Sequence, residues 1–202
     1  MAHSPAPAVV VVPVKAFGQA KARLAAALPP EGRAELARTM AEVVLDAAAP
    51  LGVVVACGDE DVAAWARGRG AAVAWAPGTD LNGALRAAVD RSRDAGIARV
   101  VIAHADLPFA SGLARLADAG PDEVLAVADR HGRGTNVMSL PTDAGMELCF
   151  GPGSLAAHRA AAQAAGLRFV EVDEPALAWD VDEPADLDPP AALGPRSAIT
   201  TA

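Results

Sequence analysis

The runs "AVVVVPV" (8–14), "LGVVVAC" (51–57), "AAVAWA" (71–76), "ARVVIAHAD" (98–106) and "EVLAVAD" (123–129) are short and almost unbroken in apolar character. A strand with one face in water alternates; a strand apolar throughout must be covered on both faces. Helical patterns separate these runs. In "PEGRAELARTMAEVVLDAAA" (30–49), Leu36, Met40, Val43, Val44 and Ala47 fall on one face. "DEDVAAWARGRG" (59–70) opens on acids and closes on glycine, and "LNGALRAAVDRSRDAG" (81–96) offers Asn82 as N-cap and Gly96 as C-terminal stop. Such alternation demands right-handed crossovers and puts helices on both faces of a mostly parallel sheet. The expectation is an α/β protein with a single three-layer α/β/α domain over residues 1–187. Within it "TNVMSLP" reads as a further strand, "SLAAHRAAAQAAG" as a helix and "RFVEV" as a strand. The Pro- and Ala-rich stretch 188–202 reads as a loose C-terminal tail.

Charge narrows the partners. The chain carries 25 Asp and Glu against 17 Lys and Arg, a net −8. Nucleic acid and anionic membrane surfaces reward clustered cations, so neither is expected as a partner. A small phosphorylated ligand is still compatible, because a few local cations, backbone N–H groups or a metal suffice. Cys57 and Cys149 have no C-x-x-C spacing, which argues against a structural zinc site or a disulfide framework. "PAVVVVPV" is too short to span a bilayer and has no basic stretch before it. A cytoplasmic protein is the expectation.

In open α/β sheets ligands bind beyond the carboxyl ends of the strands. The loop after the first strand, "PVKAFGQAKARL", places Lys15, Lys21 and Arg23 close together without a P-loop or a G-x-G-x-x-G turn. It suits a polyphosphate, although for the loop taken alone solvated surface charge is the simpler reading. After the third strand, "APGTDLNGAL" offers Asn82 and the backbone around Gly83 either to a nucleoside or to an ordinary cap. After the fourth, Asp106 is either an N-cap, with Pro108 in the first turn, or a ligand to Mg²⁺. "FGPGSLAAHRAAA" (150–162) joins two glycines, Gly151 and Gly153, to a helix opened by Ser154, a suitable anion site, with His158 and Arg159 one turn on. "WDVDEPADL" (179–187) sets Asp180 and Asp182 before a short helix, where one of them could join Asp106 on a divalent ion.

Taken in order, these segments resemble the MobA-like nucleotidyltransferases. Within that group, "PVKAFGQAKARL", "LNGAL", "HADLP", "GTN", "FGPGSLAAHRAAA" and "WDVDEPADL" resemble the phosphoenolpyruvate and 2-phospho-L-lactate guanylyltransferases of coenzyme F420 biosynthesis. The resemblance spans about residues 8 to 187; Glu183 stands where that family often has Thr. It implies a Rossmann-like nucleotidyltransferase fold and the transfer of GMP from GTP to a phosphorylated three-carbon acid, releasing diphosphate. It also implies Mg²⁺ on Asp106 and Asp180, with Asp182 as the alternative second ligand. By the same resemblance Lys15, Lys21, Arg23, Asn82 and Gly83 meet the nucleotide, and Thr135, Gly151, Gly153 and Ser154 meet the acid. Lys21 joins Asp106 and Asp180 as a catalytic group, and a downstream transferase of the same pathway becomes a natural partner.

The Ala-, Arg-, Gly- and Pro-rich composition looks like a high-GC bacterial genome and tips the acid toward phosphoenolpyruvate. The residues leave the oligomeric state open, a homodimer included. Two rivals stand beside this reading: another MobA-like transferase with a different phosphorylated acceptor, and a non-catalytic nucleotide-binding protein.

Overall fold

The computed structural model describes residues 7–193. Its strands are β1 (Ala8–Pro13), β2 (Gly52–Cys57), β3 (Ala72–Trp75), β4 (Arg99–Ala103), β5 (Glu123–Ala128), β6 (Thr135–Pro141) and β7 (Arg168–Glu171). The helices are α1 (Pro30–Ala47), α2 (Glu60–Gly68), α3 (Leu81–Asp94), α4 (Ser154–Ala164) and α5 (Pro175–Ala178). The strands form one sheet in the order β3-β2-β1-β4-β6-β5-β7. All neighbouring pairs run parallel except β4–β6 and β5–β6.

The apolar runs explain the layers. Along β1, Val10 and Val12 face a core shared with α1 and α2, while Val11 faces one shared with α3 and α4. Each central strand is thereby covered twice, as its composition requires. On α1, Leu36, Met40 and Val44 are fully buried, whereas Val43 and Ala47 are only half-buried. The start of this helix serves a third, smaller core of Leu24, Leu36, Met40 and Val181, which lies beneath the loops described below.

The reversal of β6 is the feature the apolar pattern does not announce. The link from β5 is "DRHGRG" (129–134), too short for a parallel crossover. Asp129 Oδ1 closes it by accepting from the N–H groups of His131 and Arg133, at 3.1 and 2.8 Å. The reversal brings the start of β6 to the edge where β1 and β4 end: Ala103 pairs with Val137, and the His104 N–H donates to the Asn136 carbonyl.

Of the candidate caps, Asn82 and Asp106 are not caps, and Ser154 opens α4 as expected. α3 is capped by Asp80, which accepts from the Gly83 N–H at 2.8 Å, so Asn82 lies within the first turn. α4 is capped by Gly153, with Ser154 as its first residue. No helix follows Asp106 directly; the chain turns, and the next helical element is a 3-10 turn at Leu113–Asp118 capped by Gly112. Asp106 is therefore no helix cap, and its carboxylate has other work. Of the tail expected at 188–202, residues 188–193 are described and hold a 3-10 turn at Ala191–Leu193; the remainder lies outside the described residues. No helix among the described residues is long and apolar enough to cross a membrane.

Candidate active site

The loop after β1 breaks into two 3-10 turns, Phe17–Gln19 and Ala22–Ala26, with Lys21 between them at φ 55°. That left-handed conformation is uncommon for a side-chain-bearing residue and marks a site held against local preference. It brings the Lys21 ammonium 2.6 Å from Asp106 Oδ2 and 3.1 Å from Asp182 Oδ1. Burial alone would lower the Lys21 pKa, but Asp106 and Asp182 outweigh it and raise it above its ordinary value. Burial would likewise raise the Asp106 carboxyl; Lys21, with help from His104, instead holds it below its usual range. Arg23 is exposed, with its guanidinium 3.7 Å from Asp182 Oδ2.

Val181 is fully buried in the small third core, and its N–H donates to the Asp106 carbonyl at 3.2 Å. Anchoring Val181 leaves Asp180 and Asp182 on either side of it. Burial, then the charges of Asp106 and Asp182, push the Asp180 carboxyl pKa up. Asn136 Nδ2 lies 3.5 Å from its Oδ1.

The carboxylates here suit a divalent cation only in an open arrangement. Among the described residues no three His, Cys, Asp or Glu side chains stand together as a metal-holding group, so the three carboxylates form no closed cage. Mg²⁺ does not require one, since it commonly takes one or two carboxylates and fills its shell with water and substrate phosphates. Asp106 Oδ1 is buried without any hydrogen-bond partner, and Asp180 is crowded by like charge. Asp180 also has Arg130 3.6 Å away, so the feature that fits a hard cation is the orphaned Asp106 oxygen with a second carboxylate close by.

The second cluster surrounds "FGPGS". Gly151 and Gly153 have φ of 139° and 74°, conformations that only glycine adopts without strain. The start of α4 is less free than its sequence suggests: the N–H of Ser154 donates to the Gly151 carbonyl and that of Leu155 to the Arg133 carbonyl. Thr135 and Ser154 are both buried, with their hydroxyls 3.3 Å apart. His158 is wholly enclosed beneath them: its Nδ1 lies 3.0 Å from Thr135 Oγ1, and its Nε2 accepts the Cys149 N–H at 2.9 Å. It does not reach the loop's open side. Arg159 pairs with Glu171 there.

Asn82 makes a two-point bond to the same loop. Its Nδ2 donates to the Phe150 carbonyl at 3.0 Å, and its Oδ1 accepts the Phe150 N–H at 2.8 Å. An amide committed in this way to backbone acts as a clasp on the loop.

Two cavities open at this edge. The first, of about 1030 Å³, is bordered by Arg23, Arg130, Arg133, Gly151, Gly153, Asp180 and Asp182. The second, of about 380 Å³, is bordered by Lys15, Lys21, Arg23, His104, Asp106 and Asp182. They share Arg23 and Asp182. Asn82, Gly83, Thr135 and Ser154 line neither; they support the walls.

Two residues escaped the sequence reading. Asp186 is buried; its Oδ1 meets Arg130, and its Oδ2 accepts the N–H groups of Asp182 and Glu183 at 2.7 Å each. Arg130 also donates to the Asp180 carbonyl at 3.0 Å and stacks 4.6 Å over Trp179. Together they fix the 180–183 segment. The signal was available: Glu183, Pro184 and Asp186 form the acid–Pro–x–acid pattern of a capping box, which the structure contains.

A mostly parallel sheet with two adjoining cavities at its strand ends, of about 1030 and 380 Å³ and bordered by cations and carboxylates, has room for a nucleotide beside a second phosphorylated ligand. The fold agrees with that of solved structures. A putative nucleotide-diphospho-sugar transferase from Desulfovibrio desulfuricans G20 superposes with a TM-score of 0.71 at 20% identity, over 89% of this chain and 84% of that one. A 4-diphosphocytidyl-2C-methyl-D-erythritol synthase gives 0.59 at 14% identity, over 96% and 99%. The family model "Guanylyl transferase CofC like" matches residues 8–189, and the chain belongs to that family. It is 37% identical to the phosphoenolpyruvate guanylyltransferase of Sphaerobacter thermophilus, over 94% of this chain and 95% of that one. It is 36% identical to the enzyme of the same name from Rubrobacter xylanophilus, over 88% and 90%.

Proposed function

We propose that this enzyme transfers GMP from GTP to phosphoenolpyruvate, or to 2-phospho-L-lactate, releasing diphosphate. The observation that carries this reading is the pair of adjoining cavities that meet at Arg23 and Asp182. The smaller, with Lys15, Lys21 and Arg23, takes the triphosphate. The larger, rimmed by Arg133, Gly151 and Gly153, takes the acid. An oxygen of the acid's phosphate attacks the α-phosphorus of GTP, and the bond to the departing diphosphate breaks. That phosphate is already ionised, so no general base is required, and catalysis rests on alignment and charge neutralisation. Lys21 and Arg23 stabilise the charge that builds on the leaving diphosphate. Asp106 and Asp180 would hold Mg²⁺, with Asp182 as the alternative to Asp180, and the ion would polarise the phosphates. The relatives' names support phosphoenolpyruvate as the acid. The product, an acid-diphosphoguanosine, is an activated donor for a downstream transferase of coenzyme F420 synthesis in the cytoplasm.

The test is a diphosphate-release assay crossing GTP, ATP, CTP and UTP with phosphoenolpyruvate, 2-phospholactate and 3-phosphoglycerate. Release with GTP and one of the first two acids alone is expected. Equal turnover of ATP and GTP would sink the guanylyl assignment.

A further inference from the structure

We propose that His158 is a positioning residue for the acid substrate: it sets the Thr135–Ser154 hydroxyl pair as a hydrogen-bond donor toward the anion at the Gly151–Gly153 rim. The inference rests on the acid-site reading above.

The argument is a count of protons. His158 Nε2 accepts the Cys149 N–H at 2.9 Å, so that nitrogen carries no hydrogen. A neutral imidazole then has its proton on Nδ1, which must donate to Thr135 Oγ1 at 3.0 Å. Burial is the main cause that lowers the His158 pKa, to about 4, so the neutral ring holds at physiological pH. Thr135 Oγ1 thus accepts from His158. Between Thr135 and Ser154, 3.3 Å apart, one hydroxyl donates to the other. Whichever does so, the other keeps a proton with no acceptor among the described residues. A buried hydroxyl proton without an acceptor is costly. Neither hydroxyl lines the large cavity, but Ser154 directly follows Gly153, whose backbone is exposed at the rim with that of Gly151, and an anionic oxygen pressed onto that rim would supply the acceptor. A histidine that accepted from Thr135 would remove the donor; the Cys149 N–H fixes the tautomer that preserves it.

Two amide substitutions separate positioning from filling. In His158→Asn the side-chain amide stands near the place of Nδ1 and can still donate to Thr135 while losing Cys149. In His158→Gln the longer amide reaches toward the place of Nε2 and keeps Cys149 while losing Thr135. The experiment is calorimetric binding of phosphoenolpyruvate and of GTP, each with Mg²⁺, to the full chain and to His158→Asn, His158→Gln, Thr135→Val and the His158→Gln/Thr135→Val pair. His158→Gln is expected to weaken phosphoenolpyruvate about tenfold, a hydrogen bond to charge being worth that much. GTP binding should change less than about twofold, and the two losses should not add in the double variant. His158→Asn should bind the acid nearly as the parent does. Equal behaviour of the Asn and Gln variants, additive losses, or matched weakening of GTP would overturn the inference alone. If the parent protein binds neither phosphoenolpyruvate nor 2-phospholactate, the acid-site reading falls, and this inference with it.

Discussion

Lys21 Nζ stands 2.6 Å from Asp106 Oδ2 across 85 residues of sequence, and it does so from a left-handed backbone. The pair couples the loop after β1 to the end of β4 in the wall of the smaller cavity. Charge governs the site here. Asp106→Asn keeps shape and hydrogen-bonding capacity but removes one negative charge and the anionic character of the unpaired Oδ1. Turnover should fall by about 10²-fold or more, an effect of the size seen when one electrostatic stabiliser is lost. Far-UV circular dichroism should stay near the parent's, since no helix depends on Asp106 as a cap, while the unfolding midpoint should fall, because the Lys21 ammonium loses its nearest counter-charge. Near-normal turnover with Mg²⁺ would take Asp106 out of the chemistry.

Lys21→Met should act differently. It leaves Asp106 and Asp182 without their cation and removes a partner of the diphosphate. The Asp106 pKa, now held down chiefly by Lys21 against burial, should rise. Both kcat and kcat/KM for GTP should fall by about 10²-fold, as for loss of a transition-state contact. A variant that raised only the KM for the acid would place Lys21 on the wrong substrate.

The sequence and structure agree best where a residue's environment is local. The apolar runs dictate double-sided strands, and every observed strand overlaps a segment legible as a strand from sequence. For "TNVMSLP" the strand is legible but its direction is not. Direction follows from the short Asp129-closed link, a turn signal rather than a hydrophobic one. Asn82 shows the complementary failure. As a short polar residue at the start of a helical pattern it reads as a cap, but Asp80 caps α3, and Asn82 reaches 68 residues along the chain to Phe150. Asp186 and Arg130 were invisible for the same reason: their partners are set by tertiary packing, and only the capping-box spacing hinted at one of them.

The Asn82 clasp yields a prediction that separates two roles. A residue that reads the base, when changed to Ala, raises the KM for GTP. A residue that holds the 149–153 loop raises the KM for the acid. The two bonds to Phe150 support the second role. Asn82→Ala should raise the KM for phosphoenolpyruvate by about tenfold, from two lost hydrogen bonds of roughly 1 kcal/mol each, partly offset by loop relaxation. A selective rise in the KM for GTP would restore the nucleoside contact.

Arg130→Met should loosen the 180–183 segment. It leaves the Asp186 carboxylate buried with two backbone donors but no cation. Removing one partner of a buried pair costs about 3–5 kcal/mol, and partial exposure of Arg130 favours the lower end. Urea unfolding should show that loss, and the Mg²⁺ concentration for half-maximal turnover should rise several-fold, roughly in line with disturbed support of a metal ligand. Unchanged stability and Mg²⁺ dependence would make the pair dispensable.

The last prediction is a pH dependence of stability that originates in His158. Its ring is enclosed by Thr135, the Cys149 N–H, Phe150 at 4.6 Å and, beyond Phe150, His104, whose charge when protonated adds to the effect of burial. In the folded protein its pKa lies at about 4, against an ordinary value of 6.5. Between these values the unfolded chain binds a proton that the folded chain refuses, so stability rises with pH through the window and is lost as pH falls from 6.5 toward 4. At about 1.4 kcal/mol per pH unit per proton, His158 should remove about 2 kcal/mol of stability between about pH 7 and pH 5. Other groups titrate in the same range, so the comparison is with His158→Phe, which fills the space without titrating. Urea denaturation of both proteins at about pH 7, 6 and 5 gives the difference directly. The parent should lose about 2 kcal/mol more than the variant across that range, whatever their absolute stabilities at neutral pH. Parallel losses would mean that His158 takes up its proton in the folded state near its ordinary value of 6.5, and the bond from the Cys149 N–H to Nε2 would then be lost as the pH falls below that value.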